Sequence, residues 1–314
     1  MSFVAPLRIA VVGAGSVGGY FGGRLAAAGA DVTFLARGAH LDALRSRGLT
    51  LHSFRGDLHL PRVNASDDAH AIGPVDIVLF TVKLYDAEAA TRLLSPLVGP
   101  DTAVIPLQNG VDGVDIVSRA VGRRHTAGGT VYVAAVIGEP GVIRHSALDH
   151  LIFGELDGTR SPRLQRLLDV CTPAGFQVTL SGDIHVDIWT KFVRLSVFSG
   201  MTAVTRCAIG RIVADPDLFE MLKSAARETM AVARAKGVAV PDHVIDDVDR
   251  AYRVLPPLMR SSMLEDLERG RRLELPWLSG AVVRIGREVG VPTPTHQFIE
   301  TVLKPHVNGS RAST

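Results

Sequence analysis

The chain of 314 residues is long for one domain and sufficient for two of about 150 residues each. Its 46% hydrophobic and 21% charged residues are the balance of a globular protein and exclude an intrinsically disordered one. The formal net charge of +2 comes without a long lysine or arginine run, so we expect no nucleic-acid partner.

The N-terminal segment predicts a strand, a helix and a second strand in that order. Residues 8–12 form a short run rich in β-branched side chains, which is typical of a buried parallel strand. A helical segment follows and ends before Gly29, where a helix stop is expected. Residues 31–36 read as the second strand, which completes a strand–helix–strand unit.

Further strands and helices alternate up to about residue 182, after which helical spacing takes over. The alternation predicts an α/β fold with a mostly parallel, doubly wound sheet of the Rossmann type, followed by an all-helical domain. We place the domain boundary at residue 182, with the first domain at residues 1–182 and the helical domain at 183–314. The later predicted strands are 75–82, 103–107 and 176–180, with strand and turn at 126–143; the main predicted helices are 163–170, 188–198, 219–236, 244–252, 263–268 and 276–289.

A glycine-rich turn joins the first strand to the first helix and fits the G-x-G-x-x-G fingerprint of dinucleotide binding. Gly13 permits the tight turn, Gly15 leaves room for the pyrophosphate, and Gly18 lets the helix pack close to the strand. The helix N-terminus offers free N–H groups to the phosphates. The predicted cofactor contacts of this turn are Gly13, Ala14, Gly15, Ser16, Val17 and Gly18.

The end of the second strand indicates which dinucleotide is used. An NAD enzyme needs a carboxylate there for the ribose 2′-hydroxyl, whereas this strand ends at Arg37, 19 residues beyond Gly18. A guanidinium can pair with a 2′-phosphate, so we predict NADP(H) as the cofactor. The alternative is an arginine that is merely solvated on a loop.

Two more polar residues follow the ends of predicted strands. Lys83 comes after the strand at 75–82, and Asn109 comes just past the strand at 103–107. Because ligands of open α/β sheets bind outside the carboxyl ends of the strands, both residues are candidates for cofactor contact. Solvated loop residues remain the alternative for each.

Several segments in register resemble the ketopantoate reductase family, over roughly residues 8–306. The most specific are Ile-Trp-Thr-Lys-Phe at 188–192 and Arg-Ser-Ser-Met-Leu-Glu-Asp-Leu at 260–267, which runs on to 270–275. The others are 13–18, 81–83, 108–110 and 290–294. The resemblance implies a reductase that converts the 2-keto group of ketopantoate (2-dehydropantoate) to the alcohol pantoate with NADPH, in pantothenate and coenzyme A biosynthesis.

The resemblance also assigns site residues. It implies that Lys191 is the general acid at the ketone oxygen and that Glu274 shares the catalytic pocket. The chemistry asks for a group like Lys191, because hydride addition builds negative charge on the oxygen. The remaining implied contacts are to substrate by Asn109, Ser199 and Ser262, and to cofactor by Lys83, Asn109 and Ala135.

Three positions depart from the family pattern. Leu195 and Ser199 stand where the helix after the lysine usually presents asparagines, and Ile209 stands at another usually polar position. These changes make the pocket more apolar and leave open a different, more apolar 2-oxo acid as substrate. Arg194 or Arg206 could supply an anion contact instead, although solvated arginines are the simpler interpretation.

A third hypothesis is a non-catalytic NADP-sensing regulator, which would not need Lys191, Glu274 and Asn109 together.

We predict no metal site, because the 11 histidines show no ligand spacing; His145 and His150 are five residues apart in a strand or loop. No targeting segment or membrane span is recognised, so we expect a cytoplasmic protein with a small-molecule substrate. A homodimer is one assembly that the sequence allows.

Overall fold

The computed structural model describes residues 6–310 and divides the chain into two compact units. The first unit contains the described residues up to Gln108 together with Gly113–Ile184. The second contains Asn109–Asp112 and the described residues from His185 onward. This division differs from a single cut at residue 182, because four residues of the N-terminal half belong to the second unit.

The strands of the described chain lie in the first unit and form two five-stranded sheets. One sheet is parallel throughout, with the order β5-β2-β1-β6-β7, and the other has the order β10-β9-β3-β4 with β8 paired to β9. Their bounds are β1 Arg8–Val12, β2 Asp31–Leu35, β3 Leu49–Ser53, β4 Leu58–Leu60, β5 Asn64–Ser66, β6 Val75–Phe80, β7 Val98–Pro106, β8 Ala127–Glu139, β9 Val142–Glu155 and β10 Gln177–Leu180.

Helices alternate with the strands along the chain of the first unit and make up most of the second unit. Their bounds are α1 Ser16–Ala27, α2 Gly38–Arg47, α3 Ala69–Ile72, α4 Leu84–Ala90, α5 Gly113–Val121, α6 Pro162–Cys171, α7 Ile184–Thr205, α8 Ile209–Ala214, α9 Pro216–Ala235, α10 Val244–Val254, α11 Ser262–Glu268, α12 Ser279–Val289 and α13 Pro294–Leu303.

The parallel sheet places the carboxyl ends of β1 and β6 side by side. The chain leaves β1 to one neighbour, β2, and later returns on the other side as β6, so the strand order reverses between β1 and β6. Crevices at such reversal points are where open α/β sheets bind ligands. Both strands are almost wholly buried, as their runs of β-branched residues predict.

The strand predicted at 176–180 does not extend the parallel sheet. It forms β10, which pairs with β9 in the second sheet. The segment predicted as strand and turn at 126–143 contains β8 and the start of β9, which continues to Glu155 beyond the predicted segment. A strand pattern fixes the period of the side chains but not the partner strand, which is why the sequence did not separate the two sheets.

The second unit is helical around one apolar core, which confirms the predicted all-helical half. Its central helix α7 has 22 residues, and the helix α13, which the sequence analysis did not predict, begins at Pro294. The core members include Phe192, Val197, Met201, Leu222, Val232, Ala281 and Ile299.

Candidate active site

The glycine-rich turn after β1 has the geometry that its sequence predicts. Gly13 adopts φ +101°, which favours glycine, and a Cβ there would lie 2.8 Å from the Val82 backbone nitrogen. Its own N–H donates to the Leu35 carbonyl oxygen at 3.1 Å. The turn is therefore fixed between the ends of β2 and β6.

Gly18 and Gly15 are glycines for different reasons. A Cβ at Gly18 would lie 2.3 Å from the Gly13 carbonyl oxygen and 2.5 Å from Thr81 Oγ1, so close packing excludes any side chain there. A Cβ at Gly15 would meet no atom of the described residues within 4 Å beyond its chain neighbours, and its φ of −70° is open to other residues. The fold does not require a glycine at position 15, so the space above it fits a bound group that approaches the backbone.

The N-terminus of α1 can receive an anion. Gly15 is the N-cap residue and provides no side-chain cap, and the first turn contains no acidic residue. The first N–H groups of a helix have no partner within the helix, and together with the helix dipole they favour a phosphate. Ser16 and Val17, in this first turn, are half-buried, and Ala14 before it is buried.

Arg37 follows β2 and is the N-cap residue of α2. Its side chain is 87% exposed, and one guanidinium nitrogen lies 3.2 Å from Asp86 Oδ2 in the first turn of α4. The ion pair uses one nitrogen of a group with five N–H donors. The remaining donors face water and are accessible to a phosphate.

Three more residues of the first unit follow strand ends or line the second sheet. Lys83 is the N-cap residue of α4 and is exposed, and Ala135 in β8 is half-buried opposite His145, beside a shift in the strand register. Gln108 was not singled out in the sequence analysis. Its amide nitrogen donates to the Phe80 carbonyl oxygen at 2.8 Å, which leaves a buried amide oxygen without a hydrogen bond within the described residues.

The second unit brings Lys191, Asn109 and Glu274 together. Lys191, on α7, is 9% exposed, and its Nζ donates to Asn109 Oδ1 at 3.1 Å. Glu274, 5% exposed, ends the loop before a short 3-10 turn at Leu275–Trp277. Burial lowers the pKa of Lys191 to about 8, against the opposing effect of the Glu274 carboxylate, which favours the ammonium form.

Leu195 and Ser199, two of the expected departures from the family pattern, lie on the same face of α7 as Lys191. Leu195 is half-buried and Ser199 is 1% exposed, one and two turns along the helix from Lys191. Ile209, fully buried at the start of α8, is part of the apolar core of this unit. Its side chain therefore packs in this core, where a polar residue would need a hydrogen-bond partner.

The serines at the start of α11 differ from one another. Ser262, predicted to contact substrate, is exposed as the first residue of this helix. Ser261 is the buried N-cap residue: its Oγ accepts from the Leu264 N–H at 3.1 Å and lies 2.6 Å from Thr202 Oγ1. The capping serine fixes where α11 begins, and hence where Ser262 lies.

The two arginines considered as anion contacts have separate environments. Arg194 pairs with Asp247 at 3.1 Å, and Arg206 is exposed with a φ of +55°. Arg194 is therefore already committed to a carboxylate of α10.

The described residues contain no group of three or more histidine, cysteine, aspartate or glutamate side chains able to hold a metal ion. His145 is buried and lies 2.8 Å from Ser53 Oγ, and His150 lies 2.8 Å from Thr179 Oγ1. Among residues 6–310 no helix is both long and apolar enough to cross a membrane.

Comparisons with known proteins find similar proteins over most of the chain. The family described as "Ketopantoate reductase PanE/ApbA" matches residues 9–158, and its C-terminal counterpart matches residues 183–307. The chain is 33% identical to the 2-dehydropantoate 2-reductase of Mesorhizobium japonicum, over 95% of this chain and 96% of that protein.

Two solved structures are similar throughout. The 2-dehydropantoate 2-reductase of Geobacter metallireducens GS-15 has a TM-score of 0.89 at 30% identity and covers 95% of this chain and 99% of its own. D-mandelate dehydrogenase, in a structure with NADH and anilino(oxo)acetate, has a TM-score of 0.87 at 21% identity and covers 96% and 98%. At 21% identity, the similarity to D-mandelate dehydrogenase shows a shared fold only.

Fold and site together define an oxidoreductase that acts on a CH–OH group with a nicotinamide cofactor. The sequence matches then give the family: the chain belongs to the ketopantoate reductases.

Proposed function

We propose that the chain reduces the 2-keto group of ketopantoate to the hydroxyl of pantoate with NADPH, and that Lys191 is the general acid. The observation that carries the proposal is the buried ammonium of Lys191, which has Asn109 Oδ1 at 3.1 Å and Glu274 as the charged group acting on it. Relatives of 33% and 31% identity are named 2-dehydropantoate 2-reductases, which supports this substrate.

The first unit fits NADPH. Space above Gly15 and the uncapped start of α1 suit the pyrophosphate, and the exposed guanidinium of Arg37 suits the 2′-phosphate. We assign further cofactor contacts to Ala14, Ser16, Val17, Lys83 and Ala135 of this unit, and to Asn109 of the second unit. When bound, NADPH supplies the hydride that adds to the carbonyl carbon.

Lys191 would act on the carbonyl oxygen. Negative charge develops there as the carbonyl carbon is reduced, and a cationic donor placed against it lowers the barrier. Lys191 would hydrogen-bond the oxygen and transfer one proton to it, which leaves a hydroxyl on the product and a neutral amine that regains its proton from solvent. A pKa of about 8 makes this lysine a better acid near neutral pH than an ordinary lysine, while most of it stays protonated.

Glu274 and Asn109 would keep Lys191 in its acidic form and in place. The carboxylate favours the ammonium, and the amide oxygen of Asn109 accepts one of its three N–H bonds. We assign Ser199 and Ser262 to substrate binding, as polar groups on α7 and at the start of α11.

A second candidate is a reductase for a more apolar 2-oxo acid. It is favoured by Leu195, a half-buried leucine one turn along the Lys191 face of α7, where the family usually has an asparagine. The fold does not choose between substrates, since a D-mandelate dehydrogenase shares it.

Steady-state NADPH oxidation with a panel of 2-oxo acids tests the proposal. We expect ketopantoate to give the highest kcat/KM. A hundredfold advantage for a bulkier apolar 2-oxo acid would instead establish the second candidate. NADPH binding without turnover of any member of the panel would favour a regulator.

The variant Lys191→Ala tests the general acid. We expect turnover to fall by about 10²–10⁴-fold, while the dissociation constant of NADPH, measured by its fluorescence, stays within a few fold. Equal turnover in this variant would remove Lys191 from the proposed role.

A further inference from the structure

The loop Asn109–Asp112 belongs to the second unit although it follows β7 of the parallel sheet. It is attached there at both ends. Asn109 Oδ1 accepts from Lys191 Nζ at 3.1 Å, and Asp112 Oδ1 accepts from a guanidinium nitrogen of Arg284 at 2.5 Å. Between them, Val111 packs against the apolar core of the second unit.

Arg284, which binds Asp112 at the end of the loop, lies on a helix that is packed into the core. It lies on α12, whose residues Ala281, Val282, Val283 and Ile285 are buried in the core. The side chain of Asp112 is 19% exposed and that of Arg284 48%, so the ion pair is partly shielded from water. A partly buried ion pair of this kind is stronger than a fully exposed one.

Gly110, which follows Asn109 in the loop, does not by itself restrict the position of Asn109. Gly110 adopts φ +95°, a left-handed conformation, and glycine has the greatest backbone freedom of any residue. The position of the Asn109 amide therefore depends on what holds the residues after it. Asp112 is the charged residue that does so.

We propose that the Asp112–Arg284 ion pair positions Asn109 against the ammonium of Lys191, so that both are positioning residues for the general acid. This inference rests on the proposed function, because it assumes that Lys191 delivers the proton. Without the ion pair, we expect Asn109 to move away and the ammonium to turn toward the carboxylate of Glu274, which already acts on it.

A double-mutant cycle tests the inference. The variants Asp112→Asn, Arg284→Gln and their combination are compared by kcat, by KM for NADPH and by thermal unfolding. We expect each single variant to lower kcat about tenfold and the double variant to lower it no further, because all three break the same contact. We expect the KM for NADPH to stay within about twofold.

Matched controls come from the same helix. Glu288→Gln removes the other partner of Arg284, at 3.4 Å, and Arg287→Gln removes an arginine of α12 that bonds Gln297. Both should keep wild-type kcat. The variant Asp112→Glu keeps the charge and should recover part of the activity that Asp112→Asn loses.

The pH dependence separates positioning from a merely structural role. Loss of the Asn109 acceptor removes a hydrogen bond to the charged form of Lys191, so its pKa falls. The decline of kcat/KM at high pH should therefore begin at lower pH in both single variants and stay unchanged in the controls.

Wild-type kcat in Asp112→Asn and Arg284→Gln would overturn the inference. It would also be overturned if the losses of kcat in the two single variants multiplied in the double variant. The same holds if kcat fell only together with the melting temperature, while the pH profile stayed unchanged. If Lys191→Ala is inactive while both loop variants are normal, only this inference fails. If Lys191→Ala retains full activity, the proposed function itself fails.

Discussion

The hydroxyl of Thr81 donates a 2.6 Å hydrogen bond to the carbonyl oxygen of Gly13, the first glycine of the dinucleotide fingerprint. Thr81 follows β6 and Gly13 follows β1, so one side chain holds the turn against the neighbouring strand. The same hydroxyl lies near the position that a Cβ of Gly18 would occupy, which places it at the centre of the close packing in this turn.

Thr81→Val should therefore weaken cofactor binding without emptying the space that the side chain fills. A buried hydrogen bond contributes about 1 kcal/mol, which corresponds to about a fivefold increase in the dissociation constant of NADPH. Thr81→Ser keeps the hydroxyl and should bind like the wild type. Fluorescence titration measures both, and equal affinity in the valine variant would show that the bond does not shape the site.

The glycines of the fingerprint should respond to substitution in opposite ways. Gly18→Ala should destabilise the fold, since its Cβ would meet backbone and Thr81 atoms at 2.3–2.5 Å. Gly15→Ala should leave the melting temperature of the free protein nearly unchanged, because within residues 6–310 its Cβ would meet only its chain neighbours inside 4 Å. It should nevertheless raise the KM for NADPH about tenfold or more, because the methyl group occupies space that the pyrophosphate needs. Thermal unfolding and kinetics on both variants check this contrast, and a normal KM in Gly15→Ala would contradict the proposed cofactor site.

Arg37→Gln should reduce the preference for NADPH over NADH. Hydrogen bonds to charged groups contribute about 1.5–3 kcal/mol, so kcat/KM with NADPH should fall about 10–100-fold while that with NADH changes little. Arg119→Gln is a matched control, as Arg119 is 61% exposed and pairs with Glu88 on α4. An unchanged cofactor preference in Arg37→Gln would mean that the arginine does not contact the 2′-phosphate.

The pH profile should report Lys191. A general acid must be protonated, so activity is present below its pKa and is lost above it. With a pKa of about 8, kcat/KM should decline above roughly that pH, by about tenfold per pH unit. Glu274→Gln removes the carboxylate that favours the ammonium and should move the decline to lower pH. A profile that stays flat to pH 10 would exclude Lys191 as the acid.

Local sequence patterns predicted four of the five strands of the parallel sheet, the fingerprint turn and most helices of the second unit; the short strands β3, β4 and β5 were not predicted. Each predicted element depends on neighbours within a few residues: β-branched runs for β1 and β6, and apolar spacing for α9 and α12. The second sheet was not separated from the first, because the pairing of β10 with β9 depends on contacts between distant segments.

The residues of the candidate active site were likewise predicted only in part. Lys191 and Glu274 were named from the family resemblance, and Asn109 also from its place after a predicted strand. The structure has Lys191 in hydrogen-bond contact with Asn109 and within the electrostatic influence of Glu274. The roles of Thr81 and Gln108 could not be derived, since they depend on carbonyl groups that are distant in sequence: those of Val12 and Gly13 for Thr81, and that of Phe80 for Gln108. Ser261 and Ser262 are adjacent serines, and only the structure distinguishes the buried cap from the exposed residue.

The membership of Asn109–Asp112 in the second unit has a consequence for dividing this protein into pieces. A polypeptide that starts at residue 183 would contain every helix from α7 onward, yet it would lack the amide that accepts from Lys191 and the carboxylate that pairs with Arg284. Its buried lysine would lose a partner, and Arg284 would lose its shorter ion pair and keep the one to Glu288 at 3.4 Å. The helical half is therefore contiguous in space but not in the gene, and recombination with an unrelated nucleotide-binding half would have to carry this loop along.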